Sequence, residues 1–145
     1  MAYKGKYTPQ HPEKYKGDPT KIIYRSNWER NCMKTFDCNP NILFWSSEEL
    51  SLPYLSPLDG KIHQYFPDFL VKVRSSDGSE KKYLIEVKPL SQCSLPILPK
   101  SKRKTRRYKT ALATFAVNQM KWKAARSWCE KTGYEFKIMT ETDCT

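Results

Sequence analysis

Apolar positions change period along this chain, and each change marks an element. Trp28, Cys32, Met33 and Phe36 recur at helical spacing, a one-sided stripe over about residues 27–37. Ser26, followed three residues later by Glu29, forms a capping box and makes Ser26 the predicted N-cap. Pro40 stops this helix, because its ring disfavours helical backbone at Asn39. Short strands are predicted at about 42–45 and 50–55, with Pro53 restricting pairing in the second. Residues 63–74 and 80–88 read as two further strands joined by a turn. Both carry successive apolar residues, Phe69-Leu70-Val71 and Tyr83-Leu84-Ile85, as strands covered on both faces do. A connector holding prolines and leucines then leads into a basic run. The following stretch, 108–132, is predicted helical in two pieces broken near Asn118, with Gly133 as the stop. "YEFKIMTE" is the last predicted strand. The order helix, strands, helices, strand gives an α/β class with a mixed central sheet flanked by helices. The length of 145 residues is that of one domain. Residues 1–20 mix Lys, Tyr, Pro and Gly without period, and are expected to form an extended arm, flexible or draped over another surface.

Composition narrows the class. A hydrophobic content of 39% and a mean hydropathy of −0.75 describe a soluble, polar globule. No apolar run approaches the ~20 residues needed to cross a bilayer, so no membrane association is expected. The first residues lack an apolar signal core, so export by that route is not expected either. Five scattered cysteines, two histidines and no C-x-x-C pair argue against zinc and for reduced thiols. Charge changes the picture more. The net +11 is uneven: +3 over residues 1–90, +10 over 91–132 and −2 over 133–145. Lys100, Lys102, Arg103, Lys104, Arg106, Arg107 and Lys109 form the densest run, which attracts polyanions by counterion release. Double-stranded DNA is the expected partner.

Three charges interrupt the apolar strands: Asp68, Glu86 and Lys88. An unpaired carboxylate in mid-core is costly, so these residues are expected at strand ends facing a cleft. Glu86 and Lys88 are two apart and share a face. Whether Asp68 joins them depends on the hairpin loop. A two-residue Asp77-Gly78 loop puts Asp68 opposite Val87 and on the wrong face. A three-residue loop, Ser76-Asp77-Gly78 with Gly78 left-handed, puts it opposite Glu86. Two carboxylates then converge beside a lysine. A hard divalent cation offsets their repulsion, lowers the pKa of a water and stabilises charge on a phosphodiester, while the lysine neutralises developing charge. No small-molecule cofactor is implied.

Pro67-Asp68 followed by Glu86-x-Lys88 resembles the PD-(D/E)xK nuclease superfamily, in which an acidic residue of the first helix completes the site. Glu29 stands in that position. "YRSNWER", the segment from Asn39 to Val71, "YLIEVKP" and "NQMKWKAARSWC" resemble the TnsA-like endonuclease family, and its short relatives, the head completion nucleases of large tailed phages, more closely still. The likeness covers about residues 21–142. It implies a restriction-endonuclease-like core and a DNA endonuclease using Mg²⁺, with Mn²⁺ as substitute. It implies catalytic roles for Glu29, Asp68, Glu86 and Lys88, with Glu29, Asp68 and Glu86 on the metal. It also implies action at the portal end of a filled capsid, portal or neck proteins as partners, and a place in the virion and, during assembly, the host cytoplasm.

Two other readings stand beside this one: a nuclease fold serving as a DNA- or portal-binding structural protein with little catalysis, and a transposase-type or repair endonuclease. His63, Gln64, Asn118 and Lys121 are candidate cleft-lining residues. The pair Glu48-Glu49 reads as surface.

Overall fold

The structure, a computed structural model, describes residues 4–140. A four-stranded sheet carries the fold. Its strands are β3 (Ile42–Ser47), β6 (Phe69–Arg74), β7 (Glu80–Val87) and β8 (Glu135–Met139), side by side in that order. The first two junctions are antiparallel, and β7 pairs parallel with β8, so the sheet is mixed as expected. Helix α1 (Asn27–Cys38) covers one face with Cys32, Met33 and Phe36, against Ile42, Trp45, Phe69, Val71 and Ile85. Helix α2 (Arg106–Thr132) covers the other face, where Trp122, Ala125 and Cys129 meet Leu84. Alternation along the strands separates the two cores: Phe69, Val71 and Ile85 face α1, whereas Leu70 and Leu84 face α2.

Local signals set the element ends. The Ser26 hydroxyl accepts the Glu29 N–H at 3.1 Å as the predicted N-cap of α1. Gly133 ends α2 in the left-handed region at φ 82°, where other residues are strained. The β6–β7 hairpin turns through Ser76-Asp77-Gly78, with Ser75 N–H donating to Ser79 O at 2.7 Å and Gly78 at φ 86°. Its register, Phe69 opposite Ile85 and Arg74 opposite Glu80, is that of the three-residue loop.

Two expectations are corrected. The predicted strand 63–74 is split: Ile62–Tyr65 (β5) pairs with Leu52–Leu55 (β4) in a separate hairpin, and Phe66-Pro67-Asp68 carries the chain from there into β6. Pro67 has no N–H for a ladder and marks the break. The predicted break near Asn118 is absent, and α2 runs unbroken over 27 residues. Asn118, Trp122, Ala125 and Cys129 make one buried stripe, and its packing outweighs the modest helix propensity of asparagine. Of the last predicted strand, Glu141 lies outside the described residues.

The N-terminal segment is extended and packs onto the domain's own core. Gly5–Lys6 (β1) pairs with Ile23–Tyr24 (β2), and Tyr7 and Tyr15 are buried against Trp45. The fastening is Asp37, fully buried near the end of α1. Its carboxylate accepts from Tyr7 Oη (2.7 Å), Gln10 N–H (2.7 Å) and His11 N–H (2.9 Å). These bonds hold its pKa below the usual carboxylate range against the cost of burial. Among the described residues, no helix is long and apolar enough to cross a membrane.

Candidate active site

The register of two strand pairs brings acidic residues into one row. Ser47 faces Phe69 across β3–β6, and Phe69 faces Ile85 across β6–β7. One step further along, Glu48 follows the end of β3, Asp68 precedes β6 and Glu86 lies near the end of β7. The Glu48 N–H donates to Asp68 O at 3.1 Å, and the Val87 N–H donates to Asp68 Oδ2 at 2.7 Å. Asp68 thus sits where β6 begins, its carboxylate anchored to the end of β7.

Glu29 reaches the same place from α1. It is the third residue of the helix and half-buried, with its carboxylate 3.4 Å from the Ser26 hydroxyl. Carboxylate oxygens of Glu29, Glu48 and Asp68 all lie within 4.8 Å of one another. Like charges held this close resist ionising together. Burial first, and then Glu48, pushes the Glu29 carboxyl up. Burial, followed by the adjoining Glu86 carboxylate, holds Asp68 well above its ordinary value. Arg25 offsets part of this charge, its Nε and Nη2 each 3.1 Å from a Glu48 oxygen. Glu48 itself adopts φ 54°, a left-handed backbone that a glutamate enters only at a cost of about 1–2 kcal/mol.

Glu86 is 4% exposed and held in a defined orientation. Its Oε2 accepts from Tyr65 Oη at 2.5 Å and from Trp122 Nε1 at 3.3 Å, so the β4–β5 hairpin and α2 each give this carboxylate a donor. It lies beside Asp68 but outside the three-carboxylate cluster. Lys88, two residues on and on the same face as Glu86, is half-buried, and its N–H donates to Met139 O at 3.0 Å.

The family model described as TnsA-like endonuclease N terminal matches residues 39–141. The chain is also 41% identical over 143 residues to the head completion nuclease of Enterobacteria phage T4, spanning 97% of this chain and 93% of that protein. The chain belongs to the TnsA-like endonuclease family. The matched span contains Glu48, Asp68, Glu86 and Lys88 of this TnsA-like chain, and Glu29 lies upstream of it. The resemblance seen in the motifs is therefore upheld, as is the mixed α/β fold that it implied.

The remaining predicted positions divide. Lys121 is half-buried, with Nζ 5.7 Å from the Tyr54 ring centre and 5.6 Å from that of Tyr65. Asn118 is 2% exposed, one turn before Trp122. His63 is exposed at the rim, its Nε2 2.8 Å from Asp59 Oδ2 and its ring against Tyr54. The exposed Gln64 accepts from the Ser51 hydroxyl at 2.6 Å. The seven basic residues of 100–109 are all exposed, running from the connector into the first turn of α2. Glu48, expected at the surface, is a member of the acidic cluster. A β3 predicted to end at residue 45 concealed it; strand continuation to Ser47 puts the next residue in the Asp68 row.

Proposed function

We propose that this chain is a divalent-metal-dependent DNA endonuclease of phage head completion. The observation carrying this reading is the convergence of Glu29, Glu48 and Asp68 from separate segments, with Glu86 adjoining Asp68. Three carboxylates within 4.8 Å come near the spacing of ligands on one cation: two oxygens each about 2.1 Å from an ion lie up to about 4.2 Å apart, so a closure of about 0.6 Å at most brings them into range. The donors are all hard oxygens, which favours Mg²⁺, with Mn²⁺ as substitute, over zinc. Glu29, Glu48 and Asp68 would hold the ion, with Glu86 adjoining. When bound, such an ion supplies Lewis-acid stabilisation of negative charge on phosphate oxygens.

The chain's own residues supply the rest. The Lys88 ammonium neutralises charge that builds on the phosphodiester as water attacks. Tyr65 and Trp122 keep Glu86 from turning away, so the Asp68–Glu86 pair keeps its spacing. The basic residues 100–109 hold the duplex by its phosphates. Arg106, Arg107 and Lys109 occupy the positive end of α2, where a cation gains nothing from the helix dipole, so a role toward an external polyanion explains them better than helix stability does. The 41% identical phage T4 relative is named a head completion nuclease. We carry that setting over: processing of DNA ends at the portal of a packaged capsid, with portal or neck proteins as neighbours and the virion as its place.

The test is incubation of the pure chain with supercoiled and linear DNA, with and without Mg²⁺, beside Lys88→Ala. Mg²⁺-dependent nicking or linearisation by the parent is expected. Lys88→Ala should lose roughly 10²–10³-fold in rate while still binding the metal, because an ammonium is not a ligand. A parent that binds DNA yet never cleaves it would favour a structural role instead.

A further inference from the structure

Lys121 has a setting that a lysine of a solvated helix face does not need. Trp122 beside it donates to Glu86, which fixes this stretch of α2 against the end of β7. The Lys121 Nζ lies over the rings of Tyr54 and Tyr65. Tyr65 is also the residue whose hydroxyl binds Glu86. One aromatic ring therefore separates this ammonium from the site carboxylates. A second ammonium, Lys88, is close enough to push Lys121 below the usual lysine range, in addition to the larger effect of burial. Among the described residues, no ion pair includes Lys88 or Lys121. Glu86 and Asp68 offset the Lys121 charge only in part and through space, so two adjoining half-buried ammoniums present positive charge that suits a ligand of opposite sign. Asn118, one turn earlier on the buried stripe, has an Nδ2 with no acceptor. An unmet buried donor opposes folding, and this one lies where a purely packing helix would carry an apolar residue.

We propose that Lys121 is a second phosphate-contacting lysine of this site, gripping the phosphodiester from α2 while Lys88 grips it from the end of β7. The inference rests on the nuclease reading above. The two tyrosine faces act as its platform: they hold the ammonium by its attraction to the rings, without neutralising it as a carboxylate would. The alternative is a lysine whose stem merely covers two rings.

Lys121→Met separates the two, since methionine keeps an unbranched stem over the rings and removes the charge. The probe for binding is a duplex of about 20 base pairs with Ca²⁺ in place of Mg²⁺, followed by fluorescence anisotropy across roughly 50–200 mM salt. The probe for chemistry is supercoiled DNA with Mg²⁺ at saturating enzyme. Lys121→Met should fold like the parent, bind the duplex with a log–log salt slope shallower by about one, and cleave about 10²-fold more slowly. Lys121→Arg should restore most of the binding. Lys123→Met, exposed two residues further on, should match the parent. Parent-like slope and rate in Lys121→Met would overturn the proposal, as would a lowered melting temperature with binding and rate unchanged. If the parent itself fails to cleave but the slope still drops by one, the nuclease reading fails and the phosphate contact stands.

Discussion

Replacing Asp68 by Asn should trade activity for stability, and the structure sets the size of the trade. Asn keeps the shape of the side chain and an oxygen for the Val87 N–H, now 2.7 Å from Asp68 Oδ2. What disappears is a negative charge that has Glu86 beside it and oxygens of Glu29 and Glu48 within 4.8 Å. At that distance and an effective dielectric of about 20, one pair of unit charges repels by about 3.5 kcal/mol. Weakening the Val87 bond from charged to neutral acceptor returns about 1 kcal/mol. A net gain of about 2.5 kcal/mol corresponds to a melting temperature roughly 8 °C higher for a chain of this size. The sign with pH follows from the raised Asp68 pKa. The parent is least penalised below the ordinary carboxylate range and loses stability as pH climbs toward the raised value. The gain of the variant should therefore be absent near pH 4, build above it, and level off once Asp68 has titrated. Mg²⁺ should reverse the order. At a hundred times its dissociation constant it adds about 2.7 kcal/mol to the parent and far less to a variant that has lost a ligand. Cleavage should fall roughly 10²–10³-fold, the loss of about 3–4 kcal/mol from the transition state. Thermal melts by circular dichroism near pH 4 and pH 7, with and without Mg²⁺, read the first three effects, and a plasmid assay reads the last. A variant that melts no higher than the parent near pH 7 without cation, or that gains equally from Mg²⁺, would refute the electrostatic account of the cluster.

Further outcomes follow from other parts of the structure. Changing Arg103, Lys104, Arg106 and Arg107 together to Ala should flatten the salt dependence of DNA binding; five phosphate contacts imply about a 500-fold loss of affinity between 50 and 200 mM salt, and an unchanged slope in the variant would move the DNA surface elsewhere. Glu48→Gln should weaken Mg²⁺ or Mn²⁺ binding by about ten-fold or more in a calorimetric titration, and affinity equal to the parent would remove Glu48 from the ligand set. Asp37→Ala strips the partner from three donors and should cost about 3–5 kcal/mol, seen as a lower denaturation midpoint and as faster proteolysis within residues 4–20; a parent-like midpoint would show that the arm is held by its tyrosines alone.

Much of this protein was legible in one dimension, because the signals involved are short-range. Ser26 caps α1 through a hydroxyl three residues from the N–H that it accepts, and Gly133 ends α2 through its own backbone freedom. Apolar runs in β6 and β7 required cover on both faces, which α1 and α2 provide. The sequence narrowed the Asp68–Glu86 pairing to two hairpin registers, and the three-residue loop selects the one that sets the two carboxylates opposite each other. What the tertiary structure alone decided depends on contacts between distant segments. Glu48 enters the site because β3 pairs with β6 in a register shifted between Ile42 and Phe44, and no local pattern specifies that offset. Asn118 stays helical because its stripe packs on the sheet and outweighs local propensity. Tyr65 and Trp122, distant in sequence from Glu86, become its hydrogen-bond partners only once a separate hairpin and the second helix close over the end of β7. Local sequence sets element type and the pairing of adjacent strands; the electrostatics of the site arise from non-local packing, which buries Glu29 and Asp68 beside further carboxylates and so raises both above the ordinary carboxylate range.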